Sequence, residues 1–220
     1  MPNTKALSHP AVKSFIARAH KRSVPPKQTI VRSGEAPDSL YLILEGSVSV
    51  RLEDEQGREI VLAYLSAGDF FGEMCLFPEH ATRTAIVNSR VATLVAQLGY
   101  DAFRNFVNQH PDIMFVIAEQ LSIRLRDTSR RLSDLAFLDV QGRTARALLE
   151  LAETPDAKPG AKGTVVKVSR QELARIVGCS REMAGRVLKR LEENGILSMQ
   201  GRNVLLHGVG GSESKTAAKL

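Results

Sequence analysis

Met114, Ala118, Leu121, Leu125, Thr128, Leu132 and Leu135 recur at alternating spacings of four and three residues. A seam at that period, held over three repeats, marks a helix that packs along its length against a matching helix. Residues 111–138 (PDIMFVIAEQLSIRLRDTSRRLSDLAFL) therefore read as one long helix, with Pro111 in the first turn, where no backbone donor is needed. At 1.5 Å per residue such a helix runs roughly 40 Å, too long to hide inside one small domain. The natural cover for the stripe is an identical stripe, so a parallel two-fold homodimer is expected. Thr128 places a hydroxyl in this seam, and Ser129 stands beside it. A hydroxyl in an apolar seam costs stability unless something polar meets it. Two readings are open: Thr128 bonds back to its own helix or sets the register, or it touches a ligand at the dimer interface.

Composition narrows the class. A chain of 220 residues, 43% of them hydrophobic, can bury one or two ordinary cores. It has no apolar run of 18 residues and no signal-peptide pattern, so a soluble cytoplasmic protein without membrane association is expected. Cys75 and Cys179 are far apart with no CxxC spacing, which reads as reduced thiols. His9, His20, His80, His110 and His207 are scattered, and no metal is expected. The net charge of +6 is uneven: residues 1–138 hold 16 Lys/Arg against 15 Asp/Glu, and residues 139–220 hold 14 against 9. A basic C-terminal third points to a polyanion, most simply double-stranded DNA, although a solvated basic surface has the same composition.

Taken in order, residues 1–9 read as loose and 10–20 as a short amphipathic helix. Between 28 and 98 the texture is that of strands: Thr29–Val31, Leu40–Leu44, Val48–Leu52, Glu59–Leu65, Thr84–Val87 and Val91–Gln97. Gly34, Gly46, Gly57, Gly68 and Gly72 punctuate them. Short strands at this spacing suggest an antiparallel roll or barrel, with EDEQGRE (53–59) as a charged hairpin tip. Residues 99–108 form another short helix before the long one. Residues 139–153 read as a helix, 154–163 as a turn-rich loop, and Val165, Val166 and Val168 as a strand. Ile196–Met199 and Asn203–Leu206 make a hairpin. The expected division is a β-roll with its dimerisation helix over 1–138, a winged helix-turn-helix over 139–208 and a disordered tail over 209–220. The class is α+β.

Residues 170–177 and 181–194 fit a helix-turn-helix. Ser169 with Glu172 makes a capping box, Ser180 can cap the second helix, and Gly178 suits a left-handed turn. In the second helix Ala184, Val187, Leu188 and Leu191 form an inward stripe. Arg181, Glu182, Arg186 and Lys189 take the opposite side, where side chains of a helix in the major groove reach base edges. Arginine forks match guanine and glutamate accepts from cytosine. Ser169, Arg170 and Gln171 lie where a phosphate would be held. The competing reading is a winged-helix protein-interaction domain, or an ordinary helical hairpin.

The stretch GDFFGEMCLFPEHATRTA (68–85) puts an acid (Glu73), an arginine (Arg83) and a hydroxyl (Thr84) after a glycine turn. A lone Glu–Arg pair is usually a salt bridge. Together with DTSRRLSDLAFLDV and VSRQELARIVGCSREMAGRVLK, however, this stretch resembles the CRP/FNR family of bacterial transcription regulators, in its cyclic-AMP-receptor (catabolite-activator) branch. The resemblance covers about residues 10–208. It implies that Gly72 and the backbone of Glu73 and Met74 begin a phosphate cassette. It further implies that Glu73 accepts a ribose hydroxyl, that Arg83 pairs with the cyclic phosphate beside Thr84, and that Thr128 with the partner's Ser129 holds the adenine amino group. The expected ligand is cyclic AMP, acting allosterically. The alternative is the same fold sensing cyclic di-GMP or acting without a nucleotide.

Some positions depart from the pattern. Cys75 stands where the cassette usually has glycine or alanine, Thr84 where close relatives often have serine, and Ala184 where a larger β-branched residue is usual. RNA polymerase is an expected partner. His20 matches part of the family's activating patch, but Asp101 lies where a lysine is expected and the loop 155–163 differs. An enzyme is not expected, because a cupin-like roll would need clustered histidine and carboxylate ligands.

Overall fold

The computed structural model describes residues 4–77, 82–154 and 156–209. The chain begins with α1 (Thr4–Ser8), α2 (Pro10–Arg18), β1 (His20–Val24), β2 (Thr29–Val31), β3 (Ser39–Glu45), β4 (Ser47–Glu53), β5 (Glu59–Ser66) and β6 (Phe70–Phe71). A 3-10 turn at Glu73–Leu76 precedes β7 (Ile86–Ser89), β8 (Thr93–Gly99), α3 (Tyr100–Gln109) and α4 (Asp112–Phe137). Then follow α5 (Val140–Ala152), β9 (Lys158–Gly160), β10 (Gly163–Lys167), α6 (Arg170–Val177), α7 (Arg181–Glu193), β11 (Leu197–Gln200) and β12 (Asn203–His207). Contacts divide the chain into two compact units between Arg130 and Arg131, inside α4.

Two antiparallel sheets, ordered β1-β8-β3-β6 and β2-β7-β4-β5, build the roll of the first unit. The sequence of β3 explains how they stack. Successive side chains of a strand point to opposite faces, and here both faces are buried. Leu40 and Leu42 enter a core shared with Phe15, Phe70, Phe103, Phe106, Ile113 and Ile117, while Tyr41 and Ile43 enter a second core with Val31, Val48, Phe71, Val87 and Val95. The first sheet therefore lies between the helices and the second sheet. That is why SLYLILE is almost continuously apolar instead of alternating. Phe15 anchors the helical side, with edge-on ring contacts to Phe70 at 5.2 Å and to Phe106 at 6.0 Å.

The hairpin tip is as expected: β4 and β5 pair from Ser47↔Ser66 to Glu53↔Glu59 across the charged turn. Elsewhere the structure departs from the sequence expectation. Thr4–Ser8 is helical, not loose. His20–Val24 forms an edge strand that polar residues hide from a pattern search, because little of it is buried. The strand expected at Thr84–Val87 begins at Ile86, leaving Thr84 outside it. Lys158–Gly160 pairs with β10 inside the stretch read as turns.

In the second unit, a four-stranded antiparallel sheet (β11-β12-β10-β9) packs with α5, α6 and α7. Asp139, Ser169 and Ser180 cap the three helices by accepting from the backbone N–H of Gly142, Glu172 and Met183 at 2.7, 3.1 and 3.1 Å. Gly178 closes α6 at φ +71°, a left-handed turn that costs other residues strain. The last turns of α4 are tied to α5 by ion pairs Arg131–Glu150 and Asp134–Arg146. Val209 accepts from the Thr164 hydroxyl at 2.7 Å. The rest of the expected tail, residues 210–220, lies outside the described residues.

Candidate nucleotide site and nucleic-acid interface

Gly72 introduces the 3-10 turn at φ +89°, and the crowding around it is as restrictive as the dihedral. A methyl there would come within 2.9 Å of Arg83 Nη1 and 3.0 Å of the Ser39 carbonyl. The turn delivers Glu73 inward, Met74 outward and Cys75 inward. Cys75 joins the helical-side core, and its thiol donates to the Thr82 carbonyl at 3.6 Å, so the larger residue is accommodated.

Arg83 is 5% exposed and uses all four terminal N–H groups within the protein. Nη1 donates to the Tyr100 hydroxyl at 2.6 Å and to the Gly72 carbonyl at 3.4 Å. Nη2 donates to the Ser39 carbonyl at 2.7 Å and to Asp38 Oδ1 at 3.2 Å. The rings of Tyr41 and Tyr100 lie 5.8 and 5.5 Å from the guanidinium. Three of its four partners are neutral, and the carboxylate of Asp38 is 71% exposed. The buried charge is thus stabilised mainly by dipoles and ring faces, and an incoming anion would have to displace one of these contacts, of which the exposed Asp38 carboxylate is the one open to solvent. Burial raises the Tyr100 and Tyr41 hydroxyl pKa values above the ordinary range, and the nearby Arg83 charge only partly opposes this.

Glu73 is equally buried but turns toward α4. Its Oε1 accepts from Arg124 Nη1 at 2.9 Å. Arg124 also donates to the Phe70 carbonyl. One turn earlier, Gln120 donates to the Gly68 carbonyl and accepts from the Phe70 N–H, both at 2.8 Å. Thr84 is exposed, and Thr128 and Ser129 are exposed on α4 one turn beyond Arg124. A cavity of about 470 Å³ opens on the Tyr100 side of Arg83, lined in part by Pro37, Asp38, Phe77 and Asp101. Of the residues expected to hold nucleotide, none is among its lining residues.

Asp38, Tyr100, Gln120 and Arg124 join these groups without being expected from the sequence. Gln120 and Arg124 carried a usable signal, since a polar i, i+4 pair directly before Leu121 and Leu125 faces inward when the seam faces out. Tyr100 carried none. Among the described residues no cluster of histidine, cysteine and acids could hold a metal, and no helix is long and apolar enough to cross a membrane.

Along the seam, Met114 is partly spent on the chain's own core. Ala118 is exposed, as are Leu121, Leu125, Leu132 and Leu135. Leu135 approaches the helix-turn-helix, 4.0 Å from where a Gly178 methyl would stand. In α7 the stripe Ala184, Val187, Leu188 and Leu191 is buried. Arg181, Glu182, Arg186 and Lys189 are exposed, with Lys189 reaching Glu193 at 3.8 Å. Arg170, Gln171 and Ser180 are exposed and Ser169 is half-buried by its capping role. The Arg170 stem crosses toward α7, 3.5 Å from where a Gly185 methyl would be.

Comparison with known proteins decides the class. Residues 21–110 match the cyclic nucleotide-binding domain family, and residues 166–197 match the crp family of bacterial regulatory proteins. The chain is 43% identical to the cAMP-activated global transcriptional regulator Vfr of Pseudomonas aeruginosa, over 94% of this chain and 97% of Vfr. The chain belongs to the CRP/FNR family of bacterial transcription regulators. This makes it a DNA-binding regulator with a cyclic nucleotide-binding domain, not an enzyme. It is also 42% identical to the cAMP-activated regulator CRP of Salmonella typhimurium, over 93% of this chain and 97% of that one. The solved structure of CLP from Xanthomonas campestris, described as a c-di-GMP-responsive global regulator, superposes with a TM-score of 0.85 at 43% identity. That overlap covers 90% of this chain and 99% of CLP.

Proposed function

We propose that the chain is a homodimeric transcription regulator gated by a cyclic purine nucleotide and binding near-palindromic DNA. The observation that supports gating most directly is Arg83, a buried cation held by mostly neutral groups beside the Gly72 turn. In this reading the backbone of Gly72, Glu73 and Met74, with Arg83 and Thr84, receives the cyclic phosphodiester. Thr128 and Ser129 meet a purine at the seam, and the exposed leucines of α4 are covered by a second copy. Arg181, Glu182, Arg186 and Lys189 enter the major groove, while Ser169, Arg170, Gln171 and Ser180 position the backbone. The nucleotide acts by binding the DNA-competent arrangement better than the incompetent one. RNA polymerase is the further partner.

Two ligands share that chemistry. The high overlap with CLP supports cyclic di-GMP. The identity with Vfr and CRP, together with the Thr128-Ser129 pair, supports cyclic AMP. Calorimetry with each nucleotide on wild type and Arg83→Lys separates the cases. Lysine is chosen because leucine would strand four hydrogen-bond partners. The expected result is saturable binding of one nucleotide, weakened at least tenfold in the variant, with nucleotide-dependent binding to an operator. No heat with either nucleotide, alongside unchanged operator binding, would leave a regulator that works without one.

A further inference from the structure

We infer that Tyr100 is a positioning residue for nucleotide binding: it fixes the Arg83 guanidinium against the Gly72 turn and thereby sets where the phosphate's cation stands. The inference rests on the proposed role of Arg83.

The geometry is a three-point clamp. The Tyr100 hydroxyl accepts from Arg83 Nη1 at 2.6 Å and donates to the Gly72 carbonyl at 2.6 Å. One oxygen therefore spends its proton on the turn and a lone pair on the cation, which orders both relative to each other. Tyr100 itself is fixed twice. It is the first residue of α3, and its N–H donates to the Asp38 carbonyl at 3.0 Å. Its ring is buried in the helical-side core and presents a face to the guanidinium. The remaining contact of Nη1, to the Gly72 carbonyl, is long at 3.4 Å, so without the hydroxyl this nitrogen has only a weak tether. On the other nitrogen the contacts are to the Ser39 carbonyl of β3 and to the exposed Asp38 carboxylate, neither of which belongs to the turn. The hydroxyl is therefore the shorter and stronger of the two ties between the Arg83 side chain and the turn.

On Nη2 a phosphodiester would take the place of the exposed Asp38 carboxylate, and an arginine displaced by a fraction of an ångström still carries its charge but meets that phosphodiester with poorer hydrogen-bond geometry. Tyr100→Phe keeps the ring, the volume and the core contacts, and removes only the oxygen. Hydrogen bonds involving charged groups are strong enough that nucleotide affinity should fall roughly tenfold or more.

The test is a double-variant cycle of Tyr100→Phe and Arg83→Lys in the full-length protein, titrated with cyclic AMP and with cyclic di-GMP. Tyr100→Phe should weaken whichever nucleotide binds about tenfold in the Arg83 background and by less than twofold in the Arg83→Lys background, with the fold retained and the melting temperature lowered by about a few degrees. An equal loss in both backgrounds would overturn the inference, because a merely structural tyrosine does not act through Arg83. The Arg83 guanidinium NMR signal of the unliganded protein gives a readout that needs no ligand, assigned by its disappearance in Arg83→Lys. It should shift and broaden in Tyr100→Phe; an unchanged signal also overturns the inference. If wild type binds neither nucleotide, the reading of Arg83 as a phosphate site fails on that result alone, and the NMR comparison still decides whether Tyr100 holds Arg83.

Discussion

Arg124 Nη1 lies 2.9 Å from Glu73 Oε1, fastening the helix that carries the seam to the turn that carries Gly72. With Gln120 bonded to Gly68 and Phe70, consecutive turns of α4 grip the same loop. Arg124→Ala would leave a buried carboxylate without its cation. Breaking a buried pair costs several kcal/mol, less where one partner is partly exposed as Arg124 is, so a loss of about 2–3 kcal/mol is expected. Urea denaturation measures it, and adding Glu73→Gln should recover part of the loss. A double variant at the sum of the two single losses would show that the pair is not coupled.

Leu125→Glu should dissociate the proposed dimer. Leu125 is 69% exposed in the single chain, so the substitution disturbs little of its own core. In a paired seam it would set two carboxylates against each other. Sedimentation should show monomers at concentrations where wild type is dimeric; a dimer of unchanged stability would place the interface elsewhere.

Thr128 and Ser129 are both exposed on α4. Thr128→Ala/Ser129→Ala should retain nucleotide binding through the cassette yet lose most of the nucleotide-driven gain in operator affinity. Anisotropy titrations with and without nucleotide measure this. A wild-type gain would return the hydroxyls to back-bonding or register.

Arg186→Ala should cost roughly 1–3 kcal/mol per half-site at one base pair and relax specificity there. Arg170→Ala should weaken all sequences alike and lower the salt dependence by roughly one phosphate contact. Binding to an operator series at several salt concentrations distinguishes them. Uniform weakening by Arg186→Ala would reverse the assignment.

Burial raises the folded-state pKa of Tyr41 and Tyr100 above the ordinary 10.0. The neutral form is therefore favoured by folding. Its stabilisation is complete below pH 10 and is lost as pH rises toward the folded values. Urea midpoints should begin to fall from about pH 9, where the Cys179 thiol, also raised by burial, adds a loss of the same sign, and fall more steeply beyond about 10; Tyr100→Phe should flatten the steeper part. An equally steep fall in the variant would assign the effect to other groups.

Much of the chain was legible because it is written in local periods. The heptad of α4, the alternating stripe of α7, the caps Ser169, Ser180 and the turn at Gly178 each need only neighbours a few residues away. The apolar run Leu40–Leu44 and the EDEQGRE tip are similarly local, although the burial of both faces of β3 is not. His20–Val24 and Phe70–Phe71 escaped because one is polar on an edge and the other is too short to show a period; strand pairing alone makes them strands.

For the site, sequence determined which residue types were present and in what order: the glycine turn, Glu73, Arg83, the seam hydroxyls and the outward face of α7. Only the tertiary structure decided their partners. Glu73 went to Arg124 and Arg83 to Tyr100, Ser39, Gly72 and Asp38, pairings separated by 51, 17, 44, 11 and 45 residues. A hydrogen bond is set by where two backbones bring a donor and an acceptor. Where the chain must close on itself to do that, no window of neighbouring residues contains the information.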